Sequence, residues 1–137
     1  MPDIKHTVTI NALPENIFNL VATKVGIQKW LTREDGWKIT GNENIGDTLV
    51  FYFGGNHHEM KISKLIPNKE VQWDCTVGPP DWVATSVCFA IETKGQKSIL
   101  RFEHSGWAKQ TDFFTLCDQV WKGCVTDIKN VAEDKAT

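Results

Sequence analysis

The feature that most constrains this fold is a long run of apolar residues at helical spacing near the end of the sequence. From Phe113 to Val131, apolar side chains recur at steps of three and four residues, which is the spacing of one face of an α-helix. The pattern predicts a helix over residues 111–133, about 34 Å long at a rise of 1.5 Å per residue. A helix with one such face requires a second layer of structure to cover it.

The second layer is predicted from strand-like runs that precede this helix. Residues 4–10 alternate apolar and polar side chains, so we expect a first strand with one buried face. Later runs are separated by turn-forming residues, such as the triplet Gly54-Gly55-Asn56. These later runs occupy residues 48–53, 58–66, 70–76, 82–92 and 98–104. Together they predict an antiparallel meander.

Two short helices are predicted between the first strand and the meander. Pro14 fits the first turn of one helix, and Thr23 can cap a second helix that carries Trp30 on its apolar side. The segment 32–47 is polar, and only Trp37 and Ile39 indicate a brief extended piece. This order predicts an α+β fold in which a curved antiparallel sheet wraps around the long C-terminal helix.

Composition and charge limit what the chain can bind. The 137 residues are 41% hydrophobic, and no repeat or flexible linker divides them, so residues 1–137 are predicted to form a single domain. Fifteen basic and seventeen acidic residues give a net charge of −2 without any basic run, which argues against a nucleic-acid partner. No signal sequence or bilayer-length apolar segment is found, so we expect a cytoplasmic location and no membrane insertion.

The sequence carries no signature of a common catalytic or cofactor site. It lacks a phosphate-binding loop, a dinucleotide-binding turn, a zinc-protease helix and a serine-hydrolase elbow. No cofactor, no metal site and no catalytic residue is therefore predicted. The four cysteines are widely spaced, which favours free thiols over a disulfide framework or a redox pair.

What remains is a predicted inward lining that is almost wholly apolar. Strand alternation and helical spacing turn these side chains toward the space between the sheet and the helices. A packed core and a cavity for an apolar ligand both fit such a lining. The candidate ligand-binding residues are His6, Val8, Ile10, Phe18, Trp30, Phe51, Met60, Ile62, Trp73, Val87, Phe89, Leu100, Phe102, Phe113, Cys117, Val120 and Cys124.

Three histidines share strand parity with apolar neighbours and are expected to face inward. They are His6, His58 and His104. Hydrogen-bonded interior or rim groups are one interpretation, and a zinc or acid–base site is the alternative. No two of them have metal-ligand spacing on one element.

Three tryptophans fall at loops or element ends, where an indole ring needs a packing partner. They are Trp37, Trp82 and Trp107. Such rings either lock a loop onto the sheet or surround the mouth of a cavity. The sequence leaves both interpretations open.

The order of several motifs resembles a known family. ALPENIFNLV follows strand one, and KLIPNKEVQW, VCFAIE, LRFEHSGW and DQVWKGCVTDIKNV come later, with the pairs Trp30-Leu31 and Ile45-Gly46 between them. In this order they resemble the SRPBCC, or START-like, superfamily, in the branch related to the C-terminal domain of the activator of the heat-shock-protein-90 ATPase. Relatives commonly carry glycine where this chain has Asp47 and Val120.

The resemblance implies a helix-grip fold with an apolar ligand cavity between the sheet and the long helix. Proteins of this superfamily include lipid carriers, polyketide cyclases and the chaperone activator, so fold alone leaves several functions open. We favour binding of a hydrophobic small molecule or lipid in the cavity. A chaperone-activator type of protein interaction is one alternative, and a cyclase-like or hydrolase-like enzyme with His6 or His104 as general base is another.

Overall fold

A seven-stranded antiparallel sheet and three helices form the part of the chain that the structure, a computed structural model, describes, namely residues 3–31, 38–53 and 56–134. The strands are β1 (Ile4–Ile10), β2 (Lys38–Thr40), β3 (Thr48–Phe53), β4 (Asn56–Ile66), β5 (Glu70–Val77), β6 (Ser86–Lys94) and β7 (Lys97–Ser105). The helices are α1 (Pro14–Ala22), α2 (Lys24–Trp30) and α3 (Asp112–Glu133).

The sheet order is β1-β7-β6-β5-β4-β3-β2, so the first strand pairs with the last and the others form the meander. All pairs are antiparallel. Strand β1 pairs with β7 in unbroken register, from Ile4 opposite His104 to Ile10 opposite Ser98. A curved open sheet, a long C-terminal helix and two short helices after strand one make up the helix-grip fold. The predicted α+β class and element order are confirmed.

Helix α3 lies across the sheet with one side buried. Thr111 caps its first turn by accepting a hydrogen bond from the backbone N–H of Phe114 at 3.3 Å. Its buried residues are Phe114, Cys117, Trp121, Cys124, Val125 and Ile128. The expectation that Val120 lies on the buried side of α3 is wrong, because its neighbour Trp121 takes the place over Phe102, with ring centroids 4.5 Å apart. Val120 is instead 55% exposed.

Strand β6 begins later than the sequence pattern predicts. Residues 79–85 form turns, and the Trp82 backbone N–H donates to the Pro79 carbonyl at 2.8 Å. Ala84 lies in the left-handed region with φ of 73°. Because these turn hydrogen bonds and the left-handed Ala84 take residues 82–85 out of the extended conformation, the strand-like run 82–92 is corrected to a turn followed by Ser86–Lys94.

Some predictions fall outside the described residues, namely those for Trp37 and for the glycine pair at 54 and 55 of the predicted hairpin turn. The brief extended piece is confirmed at Lys38–Thr40, which holds the buried Ile39. In the described part of the chain, no helix combines the length and the apolar character needed to cross a bilayer.

Helix α2 packs closely on α1 through a glycine. Thr23 caps α2, accepting a hydrogen bond from the Gly26 backbone N–H at 2.9 Å, as the sequence predicts. A Cβ atom at Gly26 would lie 2.0 Å from the carbonyl oxygen of Asn19. Glycine weakens a helix by its own propensity, but here it is the residue that lets the two helices meet.

We therefore expect Gly26→Ala to lower the free energy of unfolding by about 1–3 kcal/mol or more, because the added methyl group meets backbone atoms. Gly123→Ala in α3 is the matched control, since a Cβ there meets nothing within 4 Å. It should raise the stability of the single chain by about 0.5–1 kcal/mol. Urea unfolding of both variants in dilute solution makes the comparison, and equal effects would contradict the close packing of α2 on α1.

Candidate functional site

A cavity of about 320 Å³ lies between the first half of α3 and strands β3, β4 and β5. Its surface is almost entirely apolar. The residues that line it are Leu31, Phe51, His58, Met60, Trp73, Pro79, Trp82, Phe113, Leu116, Cys117, Val120, Trp121 and Cys124. Leu116 and Val120 are each more than half exposed, so the cavity has a mouth beside the helix.

The structure brings seven of the sequence-predicted residues to this cavity. They are Phe51, Met60, Trp73, Phe113, Cys117, Val120 and Cys124. The sheet contributes large rings, with the centroids of Phe51 and Trp73 5.4 Å apart. The helix contributes the two small thiols on its buried side. Their role in binding a ligand stays a prediction.

The other ten candidates do not line the cavity. Val8 and Phe18 pack at the margin of the core, and His6 is half-buried beside α3. The remaining seven are almost fully buried core residues, namely Ile10, Trp30, Ile62, Val87, Phe89, Leu100 and Phe102. The physical reason is that strand alternation identifies the inner face of a sheet, but it does not show where along that face the helix and the sheet leave a cavity between them.

Six lining residues were not in the predicted set. They are Leu31, His58, Pro79, Trp82, Leu116 and Trp121. The sequence carries a signal for five of them. His58 has inward parity, Trp82 is an indole at an element end, Leu31 belongs to the apolar side of the second short helix, and positions 116 and 121 belong to the apolar pattern of α3. Pro79 lies just beyond the end of β5 and carries no pattern of its own.

Trp82 forms one wall of the cavity and is held from several sides. Its ring centroid lies 4.8 Å from that of His58, 4.7 Å from that of His104 and 6.0 Å from that of Trp121. Its indole N–H points to the sulfur of Cys117 at 3.4 Å. Trp82 therefore joins the 79–85 turn to α3 and lines the cavity as well, so both interpretations of its position apply.

Trp107 fixes a loop to the rest of the domain and does not line the cavity. It is 1% exposed, and its ring meets that of Phe114 edge-on at 5.1 Å. Its centroid also lies 4.8 Å from that of His104. These contacts fasten the segment after β7 to the start of α3.

His104 is a buried structural residue behind the Trp82 wall. Its Nδ1 accepts a hydrogen bond from the Trp121 indole N–H at 3.1 Å, which places the ring proton on Nε2. The Nε2–H then donates to the Thr85 hydroxyl at 2.8 Å. Burial lowers the pKa of His104 to about 3, so the ring is neutral. With both nitrogens bound and no exposed surface, His104 is not placed to act as a general base.

Two titratable groups of the lining, His58 and Cys117, have pKa values shifted toward their neutral forms. Burial, and then the nearby charge of His57, lower the pKa of His58. Burial is the main cause that raises the pKa of the Cys117 thiol, against the opposing effect of the hydrogen bond from Trp82. An almost wholly apolar lining of this kind favours an uncharged ligand surface.

His6 contacts a carboxylate between the sheet and α3. Its Nε2 lies 2.8 Å from Oδ1 of Asp118 and links β1 to α3. Neither residue lines the cavity, so this pair joins the two layers at a distance from the candidate site. Among residues 3–31, 38–53 and 56–134, no group of three or more His, Cys, Asp or Glu side chains is arranged to hold a metal ion.

The neutral state of His104 predicts a loss of stability in acid. In the unfolded chain a histidine takes up its proton near pH 6.5, whereas the folded protein holds His104 neutral to a pH of about 3. The stabilising contribution of His104 is therefore complete above its pKa in the unfolded chain. As the pH drops from 6.5 toward 3, the free energy of unfolding decreases with a slope of up to about 1.4 kcal/mol per pH unit.

We expect His104→Gln to have a shallower dependence of unfolding free energy on pH between 6 and 4 than the native chain. His57→Gln is the control, because His57 is exposed in β4. Denaturant unfolding at several pH values measures the three slopes. If the slope of His104→Gln equals that of the native chain, the claim that the folded protein holds His104 in its neutral form is wrong.

The fold and its cavity define the chain as a START-like, or SRPBCC, domain. It is 35% identical to the Aha1 dimer of Colwellia psychrerythraea, with a TM-score of 0.87 and 98% of each chain covered. The chain belongs to the family named Aha1, for activator of Hsp90 ATPase, as the sequence motifs predict.

Two further structures share the fold alone. One is a protein of Mesorhizobium loti, 17% identical with a TM-score of 0.82 and 98% of each chain covered. The other is CalU16 of Micromonospora echinospora, 15% identical with a TM-score of 0.75, where the match covers 93% of this chain and 71% of that one. No family model and no curated protein matches the chain.

Proposed function

We propose that the chain binds a small apolar molecule, such as a flat ring compound or part of a lipid, in the cavity under α3. The observation that carries the proposal is the almost wholly apolar lining of a cavity of about 320 Å³ with an open mouth. Pockets for small molecules in proteins are of this size and are lined mainly by apolar and aromatic side chains. Removal of apolar ligand surface from water supplies most of the affinity, at about 25 cal/mol per Å².

The aromatic lining supports a ligand with a flat face. Phe51, Trp73, Trp82, Phe113 and Trp121 all contribute rings to the wall. Aromatic rings prefer offset or edge-on contacts with other rings, and the rings of this wall already meet one another in that way. A planar apolar ligand extends the same packing.

N-phenyl-1-naphthylamine, an uncharged dye whose fluorescence rises in apolar surroundings, tests this proposal. We expect saturable binding and a rise in melting temperature with dye concentration, since a ligand at about 100 times its dissociation constant adds roughly 2.7 kcal/mol to the stability of the folded state. Fluorimetry and thermal unfolding of the same samples provide the two measurements. No saturable binding would sink the proposal.

Filling the cavity provides the matching variant. Cys124→Phe adds a ring to a residue of the lining and should abolish dye binding at little cost in stability. Cys88→Phe is the control, because Cys88 lies on the outer side of β6, where its thiol donates to Glu70 at 3.1 Å. If Cys124→Phe unfolds readily and the native chain binds no dye, the space is an ordinary core in which an added ring costs about 1–3 kcal/mol.

A second candidate function is a chaperone-related protein interaction. It is favoured by the 35% identity to an Aha1 protein over 98% of the chain. An Hsp90-type chaperone from the same host should then hydrolyse ATP faster when the chain is added. Because this activity would use the outer surface, Cys124→Phe should stimulate the chaperone as well as the native chain does.

We also extend to this chain the dimeric state of the Colwellia Aha1 protein. The net charge of −2 gives only weak repulsion between two copies. Sedimentation velocity at several protein concentrations tests this part of the proposal.

A further inference from the structure

An uncharged strip of exposed residues on α3 borders the cavity mouth. We call it the α3 stripe, and it consists of Thr115, Leu116, Gln119, Val120, Gly123 and Thr126. Charged residues make up 23% of the chain, but the stripe has none: Lys122 lies at its border, and Asp112 and Asp127 lie at its two ends. Depletion of charge together with exposed apolar side chains is typical of the centre of a protein interface.

Gly123 is the member of the stripe that the single chain does not explain. A Cβ atom there would meet nothing within 4 Å, so no neighbour in the same chain requires glycine. Glycine in the middle of a helix lowers stability relative to alanine. A residue without a side chain does, however, allow a second backbone to approach the helix closely.

The stripe is complementary to itself. When two copies of α3 pack antiparallel about a two-fold axis near Gln119 and Val120, Leu116 of each helix faces Gly123 of the other. A large side chain then meets a position that has no side chain. The centre of such a contact brings no like charges together, because the stripe carries none, and Asp112 of one copy comes opposite Asp127 of the other only at the two ends of the contact.

We propose that a second copy of this chain packs on the α3 stripe and closes the mouth of the cavity. Leu116 and Val120 belong both to the stripe and to the cavity lining. A partner that packs on the stripe therefore also covers the mouth of the cavity. The inference rests on the proposed ligand binding and dimeric state, and it adds where the dimer forms and what it does. The dimer holds an apolar ligand away from water, and the single chain releases it.

Sedimentation velocity of Gly123→Glu tests the contact. The variant should fold normally, since its side chain has open space, and should weaken the dimer about tenfold or more by placing a charge at the centre of the contact. Val25→Glu is the control, because Val25 is a 69% exposed residue on α2. Equal dimerisation of the two variants, or a native chain that stays monomeric at its highest soluble concentration, would overturn the proposed contact.

The release rate of N-phenyl-1-naphthylamine tests the closure. Gly123 does not line the cavity, so Gly123→Glu should still bind the dye. In stopped-flow dilution, the native chain should release the dye several-fold more slowly at concentrations where it is dimeric than where it is monomeric. Gly123→Glu should release it at the fast rate throughout.

The two measurements separate the failures. If the native chain binds no dye, the ligand proposal and the closure fail, and sedimentation still decides where the dimer forms. If the chain dimerises through the stripe but releases the dye at one rate at all concentrations, the closure is wrong and ligand binding stands.

Discussion

The orientation of α3 depends on Trp121. Its indole N–H is bound to the buried His104, and its ring packs on Phe102 and faces Trp82. One side chain therefore joins the helix to β7 and to the 79–85 turn, and it sets the rotation of α3 about its own axis. Once that rotation is set, Cys117 and Cys124 point to the sheet and Leu116 and Val120 point to the edge.

That rotation also decides where the cavity lies. The later half of α3 is held against β1, since Lys129 donates to the Thr9 carbonyl at 3.2 Å and Ile128 has no exposed surface. The earlier half faces the large rings of β3 and β5, and between the larger Phe114 and Trp121 its buried side carries the small thiols of Cys117 and Cys124. A wide wall opposite small side chains leaves unfilled space at one end of the sheet.

The sequence predicts the helices and strands of this fold more completely than it predicts the residues that line the cavity. The apolar spacing from Phe113 to Val131 predicted α3 to within a residue, because helical periodicity is a local property of the chain. That run covers more than one helix face, however, and only the tertiary contacts of Trp121 decide that Val120 belongs to the exposed one. For the same reason, strand alternation places Phe89 and Phe102 on the inner face of the sheet, as observed, but it does not show that they lie in the packed core and not in the cavity lining.

The buried polar network explains how the cavity keeps its shape. An apolar space in a small domain costs stability in proportion to its volume, and walls that are able to move collapse to fill it. Trp82 is prevented from moving because its carbonyl accepts from Thr85, its indole N–H points to Cys117, and its ring lies against His104. The neutral histidine thus has a structural part in the candidate site although it never reaches the cavity surface, and the hydrogen bonds behind the wall offset part of the cost of the space in front of it.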